Sequence, residues 1–290
     1  FICVLFICKI ISNISKEWVD LLEQIKQIAD ANRAKSDKKI GELKEKLAKL
    51  AEENEKLQKK VAEVDNPPPS LLNQMDTANR SLNKLKSEFR TPGTVAQIMV
   101  HLARPTGGKI YDGCCGDGDL LLEAHRYAET EQQNEPLQFY GQELDKYAWN
   151  QAKANFANQG IEVDLGPSHG STLHNPHHLG LSFDYVISDI SFGMKLSPKL
   201  DPKDPRWTLT GQTGIREGDV AWILHSLHQL ASSGTCIIHV PVGTLFRSNK
   251  ETSALRKFLI EENLLSGIVA LKPKMIPSTS IQTCILILEK

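Results

Sequence analysis

IYDGCCGDGDLLLEA, residues 110–124, decides the fold. A short apolar strand runs into three glycines and then into the start of a helix. Gly113, Gly116 and Gly118 permit unusual backbone angles and let a ligand approach the chain closely. The amides of such a turn, together with a helix N-terminus, favour a negative or electron-rich group. Taken alone, the turn fits a nucleotide-type loop and a plain strand-to-helix connection equally well.

Outward from this turn, strands alternate with helices. Strands are expected at Lys109–Asp112, Leu137–Leu144, Ile161–Leu165, Phe183–Ser188, Gly234–Val240, Leu264–Leu271 and Thr283–Lys290. Helices are expected at Leu120–Thr130, Lys146–Gln159, Val220–Ala231 and Ser253–Glu262. This order predicts an α/β, Rossmann-like fold with a mainly parallel sheet and helices on both faces. Ligands then bind at the C-terminal strand ends. Glu143 stands at one such end, where a carboxylate can accept both hydroxyls of a ribose. The glycines read G-x-x-G-x-G rather than the pyrophosphate-binding G-x-G-x-x-G, which favours S-adenosylmethionine over NAD.

The 290 residues carry a formal net charge of −1, without the electrostatic signature of an independent nucleic-acid binder. Six cysteines in neither metal-type nor disulfide spacing point to a reducing, cytoplasmic setting. The chain opens at Phe1, and residues 1–11 (FICVLFICKII) are too short to span a bilayer. They are expected to be a non-native extension or a buried packing segment, the alternative being the tail of a membrane or signal segment. Residues 12–66 are expected to be helical. Ile40, Leu43, Leu47, Leu50, Asn54, Leu57, Val61 and Val64 follow a 3,4 spacing throughout, the seam of a coiled coil with Asn54 at a core position. This predicts pairing with a partner helix or a second copy, the alternative being packing on its own domain. An earlier amphipathic stretch (Ile14, Trp18, Leu21, Ile25, Ile28) has a different phase and predicts a break over 29–39. DNPPPS (65–70) stops the helix, and 67–88 form a linker and lead-in helix before a domain at 89–290.

Several of these stretches, in order, resemble the N6-adenine DNA methyltransferases that serve as modification subunits of type I restriction–modification systems. EFRTPGTVAQIMVHLARP (88–105) resembles the family's E-F-Y-T-P segment, with Thr91 and Pro92 matching and Arg90 in place of the tyrosine. YDGCCGDGDLL (111–121) resembles D-P-A-C-G-(S/T)-G-G-F-L through Asp112, Cys115, Gly116 and Gly118. YGQELDKYAWNQAKANFANQGI (140–161) resembles the G-Q-E segment. Residues 218–247, containing HVPVGTLFR, and 255–290, ending in TCILILEK, resemble the family's last helices and strands.

The resemblance implies S-adenosylmethionine held by Thr91 and by the backbone from Asp112 through Gly113, Cys115, Gly116 and Gly118, with Glu143 on the ribose. It implies an adenine flipped beside VISDISFGMK (186–195), where the family has Asn/Asp-Pro-Pro-Phe/Tyr. There Asp189 and the Ile190 carbonyl would accept the amino hydrogens and Phe192 would stack on the base. Both prolines are missing, so Ile190 and Ser191 are expected to loosen the loop. Ser171 stands where the family often has an Asp for the cofactor's adenine, and Asp117 and Asp119 add acidic groups to the turn. DNA would be reached through a specificity subunit in trans. The competing reading is a catalytically impaired binding or scaffold protein that assembles through its coiled coil; methyl transfer to a protein amide or an RNA base is a third. HGSTLHNPHH (169–178) fits no zinc pattern, so no metal is expected. Arg206 and Trp207, in a polar loop at 201–214, could contact DNA, against the plainer reading of a mobile surface loop.

Overall fold

The computed structural model describes residues 3–5, 38, 41–43, 45, 46, 48–64, 67–87, 91–131, 135–197, 200–211, 215–272, 275 and 281–290. Most of 1–11, the 14–28 amphipathic stretch, the expected break at 29–39 apart from residue 38, and the seam positions Ile40 and Leu47 lie outside them. The chain divides into two compact units, one of residues 27–90 and 276–281 and the other of 1–26, 91–275 and 282–290.

In the smaller unit a helix covers 48–62 (α1), and α2 covers Pro69–Ser87. The first residue of α2 is the last proline of DNPPPS, a position where a missing N–H costs nothing. Asn54, the polar member of the seam, is buried, while charged neighbours form exposed ion pairs one turn apart, Lys56–Glu52 and Lys59–Glu55. Such pairs contribute only a few tenths of a kcal/mol each; of the described seam positions, Leu50, Leu57 and Val61 are half-buried and Val64 is exposed.

The larger unit is built on one eight-stranded sheet. Its strands are β1 (Cys3–Leu5), β2 (Gly108–Asp112), β3 (Leu137–Gly141), β4 (Val163–Asp164), β5 (Phe183–Asp189), β6 (Leu230–Pro241), β7 (Leu265–Ala270) and β8 (Thr283–Glu289), in the order β1-β7-β8-β6-β5-β2-β3-β4. β2, β3, β4, β5 and β6 pair in parallel; β8 runs antiparallel between β6 and β7, and β1 pairs antiparallel with β7. The expected mainly parallel sheet is therefore present. From β2 the chain moves outward to β3 and β4, then returns to lay β5 on the other side of β2. That reversal is the switch point at which open α/β sheets bind ligands, and Asp112 and Asp189 end the two strands that flank it.

α3 (Gly93–Ala103) and α4 (Asp119–Thr130) pack on each other, α3 against β5 and β6 and α4 against β2 and β3. α5 (Lys146–Asn158) is started by Asp145, whose carboxylate accepts from the Ala148 N–H at 2.8 Å. α7 (Gly218–Gln229) packs on β5, β6, the short α6 (Pro205–Thr208) and α8 (Lys250–Glu261). Its Val220, Ile223, Leu224 and Leu227 join Val186, Ile238 and Leu286 of the sheet in the main core. Several bounds shift by a few residues, β3 ending at Gly141 and α8 starting at Lys250 among them, and two departures are larger. β6 begins at Leu230, where a helix was expected to continue, because Leu230 pairs with Phe183 before the ladder shifts register. α3, which was not expected as a helix, starts directly after Pro92.

Candidate active site

The strand ends at the switch point bring together three carboxylates. Asp112 is buried at the end of β2 and accepts from the Cys114 N–H at 3.0 Å and the Ser188 hydroxyl at 2.8 Å, both on Oδ1. Burial pushes its carboxyl up to about 7, with the charges of Asp189 and Glu143 adding to the effect and the two hydrogen bonds opposing it. Glu143, just beyond β3, accepts the Gly116 N–H at 2.9 Å on Oε2 and the Asp145 N–H at 2.8 Å on Oε1. Burial raises its carboxyl above the ordinary range.

The turn between β2 and α4 is shaped by its glycines. Gly116 (φ 58°) and Gly118 (φ 87°) take left-handed backbone that other residues avoid. A Cβ at Gly118 would lie 2.8 Å from the Phe156 ring, whereas one at Gly116 would meet nothing within 4 Å. Gly118 is thus demanded by packing, and Gly116 faces open space. Cys115 is buried, and its N–H bonds the Gln142 carbonyl at 3.1 Å. Gln142 is itself fully buried and holds the next loop: its amide donates to the carbonyls of Gly170 and Asn175, and its Oε1 accepts from the His177 N–H. The Thr172 hydroxyl donates to the Gly113 carbonyl, which draws Ser171 toward the turn, although the Ser171 hydroxyl lies 3.0 Å from His174 Nδ1.

Asp189 ends β5. Its Oδ2 accepts from the Thr91 hydroxyl at 2.7 Å, and its Oδ1 lies 2.7 Å from Nδ1 of His239, the residue paired with it on β6. The Cys114 thiol lies 3.5 Å from the Asp189 carbonyl, tying the glycine turn to the DISF loop. In that loop Ile190 is buried in the main core, Ser191 is exposed, and Phe192 is half-buried with its ring edge-on to His239 at 5.0 Å. Gly193 donates to Asp219 Oδ1 at 2.7 Å, and Asp219 Oδ2 accepts from Arg247 at 3.0 Å. The segment is thus held at both ends, by apolar burial of Ile190 and by the bond from Gly193 to the charged Asp219.

Residues 73–290 match the N-6 DNA Methylase family. The chain belongs to that family. It is 26% identical over 210 residues to the type I restriction enzyme HindI methylase subunit of Haemophilus influenzae, covering 71% of this chain and 47% of the relative. It is 29% identical over 216 residues to the MjaIX methylase subunit of Methanocaldococcus jannaschii, covering 71% of this chain and 38% of that one. The crystal structure of a type I restriction-modification methyltransferase subunit from Streptococcus thermophilus superposes with a TM-score of 0.62 at 28% identity, covering 74% of this chain and 49% of that chain. The chain spans less than half the length of these relatives.

Among the residues expected from sequence, the family fold brings Thr91, Asp112, Gly116, Glu143 and Asp189 into one hydrogen-bonded region, with Phe192 at its edge. Asp119 sits in the first turn of α4, where a negative charge suits the helix dipole, and the Asp117 carbonyl accepts from Asn155 at 2.9 Å. Arg206 and Trp207 are corrected: each is 1% exposed. Arg206 is held by Asp204, by the carbonyls of Thr172 and Leu173, and by His225 Nδ1, so it braces the interior rather than facing DNA. Among the described residues no group of three or more His, Cys, Asp or Glu side chains is placed to hold a metal, and no helix is long and apolar enough to cross a membrane. His239, Asp219, Arg247, Gln142 and Ser188 were missed. The one local signal was polar character inside apolar strands, as in IIHVP (237–241).

Proposed function

We propose that the chain carries the catalytic region of an S-adenosylmethionine-dependent DNA methyltransferase that modifies adenine N6, as part of a type I modification subunit. The observation that carries this reading is the Asp189 carboxylate, held from two sides at the end of β5 beside the Asp112–Glu143 turn. In this reading 89–290 form the methyltransferase region, 67–88 lead into it, and 12–66 supply a helix that pairs with a partner or a second copy. The near-neutral charge favours DNA capture through a specificity subunit in trans, in the cytoplasm.

The residues present fit the cofactor. Gly116 offers open backbone, and Glu143, held by backbone N–H groups on both oxygens, keeps acceptor capacity for a ribose hydroxyl. Thr91, Asp112, Gly113, Cys115, Gly118 and Ser171 would complete the cradle. When bound, S-adenosylmethionine supplies an electrophilic methyl group. Asp189 and the Ile190 carbonyl would accept hydrogen bonds from the amino group of a flipped adenine, drawing its lone pair out of the ring. Phe192 would stack on the base, a contact worth about 1–3 kcal/mol, while Ser191 shapes the turn between them. Burial of Ile190 and the Asp219 anchor at Gly193 support an active loop despite the missing prolines.

The deciding experiment is calorimetric titration with S-adenosylmethionine, followed by methyl incorporation into DNA with the specificity subunit present. Binding is expected, and incorporation is expected to vanish in Asp189→Ala. Absence of cofactor binding would return the chain to the scaffold reading, and incorporation that survives Asp189→Ala would place the chemistry elsewhere.

A further inference from the structure

We infer that His239 is a positioning residue: its Nδ1–H fixes the Asp189 carboxylate and its ring backs Phe192, so one strand side chain orients both the acceptor and the stacking group of the DISF loop. The inference rests on the methyltransferase reading for its kinetic consequence, though not for its geometry. His239 and Asp189 are partners in the parallel ladder of β5 and β6, so their backbones are fixed relative to each other. Nδ1 lies 2.7 Å from Asp189 Oδ1, and the His239 side chain is fully buried. Nε2 is also buried and has no hydrogen-bond partner among the described residues. A proton on Nε2 would therefore have no acceptor, whereas one on Nδ1 has a carboxylate oxygen in line. This asymmetry selects the Nδ1–H tautomer.

With His239 donating to Oδ1 and the Thr91 hydroxyl donating to Oδ2, both carboxylate oxygens are oriented before any substrate arrives. Each keeps a lone pair for an incoming amine. Phe192 meets the His239 ring edge-on at 5.0 Å and 87°, so rotation of that imidazole would disturb both groups together. In a loop without prolines, His239 supplies rigidity from beneath instead of from within the backbone.

Three substitutions separate positioning from bulk. In His239→Asn the amide nitrogen stands near the place of Nδ1; in His239→Gln it reaches toward the place of Nε2; His239→Leu has neither. Assayed with DNA and the specificity subunit, kcat is expected to fall about ten- to hundredfold in the Leu and Gln variants and to recover to within a few-fold of the unmodified chain in the Asn variant. S-adenosylmethionine affinity and the thermal midpoint should stay close to those of the unmodified chain. Undiminished kcat in His239→Leu overturns the proposal, and so does an equal loss in all three. Long-range 1H–15N correlation spectra of the labelled chain provide a readout without turnover. His239, assigned by the signal lost in His239→Asn, is expected as the Nδ1–H tautomer at neutral pH, and an Nε2–H tautomer refutes the inference. If the unmodified chain binds no cofactor or transfers no methyl, the functional reading fails while the tautomer still decides this one.

Discussion

The Thr91 hydroxyl donates to Asp189 Oδ2 at 2.7 Å, across 98 residues of chain. Thr91 immediately precedes the proline that opens α3, and Asp189 closes β5. The bond therefore joins the entrance of the larger unit to the strand end at the switch point. The resemblance implied that Thr91 would serve the cofactor; its place in the structure makes it a brace for the Asp189 carboxylate.

Thr91→Val keeps the shape and removes the donor. Hydrogen bonds to charged groups contribute roughly 1.5–3 kcal/mol, so methyl transfer should fall by about tenfold or more, with Thr91→Ser close to the unmodified rate. Single-turnover methylation of DNA checks this. A Val variant as fast as the unmodified chain would show that Asp189 needs no second donor.

Asp219 touches no substrate in the proposed scheme, yet it ties Gly193 to Arg247. Asp219→Ala removes the carboxylate that accepts from Gly193 and pairs with Arg247, a combination expected to cost about 3 kcal/mol or more in stability. Asp219→Asn retains an acceptor for Gly193 and should lose less. Chemical denaturation gives the stability, and the ratio of kcat to cofactor affinity separates a loosened DISF loop from a damaged cofactor turn. Equal stability of the Ala and Asn variants would mean that the anchor at Gly193 contributes nothing.

The parts of this site that can be read from sequence are those whose chemistry is local. The glycines of the 113–118 turn announce themselves because Gly118 needs left-handed backbone and close packing on Phe156. Glu143 and Asp189 are legible as acidic residues at the ends of apolar runs. His239 is not, because its partner lies 50 residues away and only the ladder between β5 and β6 brings them together. Arg206 misleads for the opposite reason. Its neighbours are polar and look like a surface loop, but a buried Arg satisfied by two carbonyls, a carboxylate and an imidazole cannot be recognised until those groups converge. The reading from missing prolines weighed backbone stiffness alone; that Ile190, in the place of one of them, is buried in the core becomes visible only in the fold.

Asp112 should leave a signature in the pH dependence of stability. Its carboxyl moves from an ordinary 3.8 to about 7 on folding, chiefly through burial. The folded chain therefore holds a proton that the unfolded chain has already lost between about pH 4 and about pH 7, and this group's contribution falls as pH rises through that window. Each unit of difference corresponds to about 1.4 kcal/mol. Asp112→Asn removes the titration, so the stability difference between variant and unmodified chain should shift in favour of the variant from about pH 5 to about pH 8. Denaturation midpoints across that range test it, and parallel curves for the two proteins would refute the raised value.

Arg206 separates a bracing role from a DNA-contacting one. Arg206→Ala strips the guanidinium from four partners at once, leaving the carbonyls of Thr172 and Leu173 without their donor and Asp204 with only the backbone N–H of residue 206. Breaking a buried ion pair by removing one member costs roughly 3–5 kcal/mol. Arg206→Lys should recover little, because an ammonium cannot span the planar fork that Asp204, the two carbonyls and His225 require. A phosphate contact would show itself differently, as a reduction of about one in the slope of log affinity against log salt. At 1% exposure Arg206 has no route to a phosphate. Folded Arg206→Lys protein, assembled with the specificity subunit, should therefore lose thermal stability while keeping the salt slope of the unmodified complex. A changed slope at unchanged stability would restore the surface reading of 201–214.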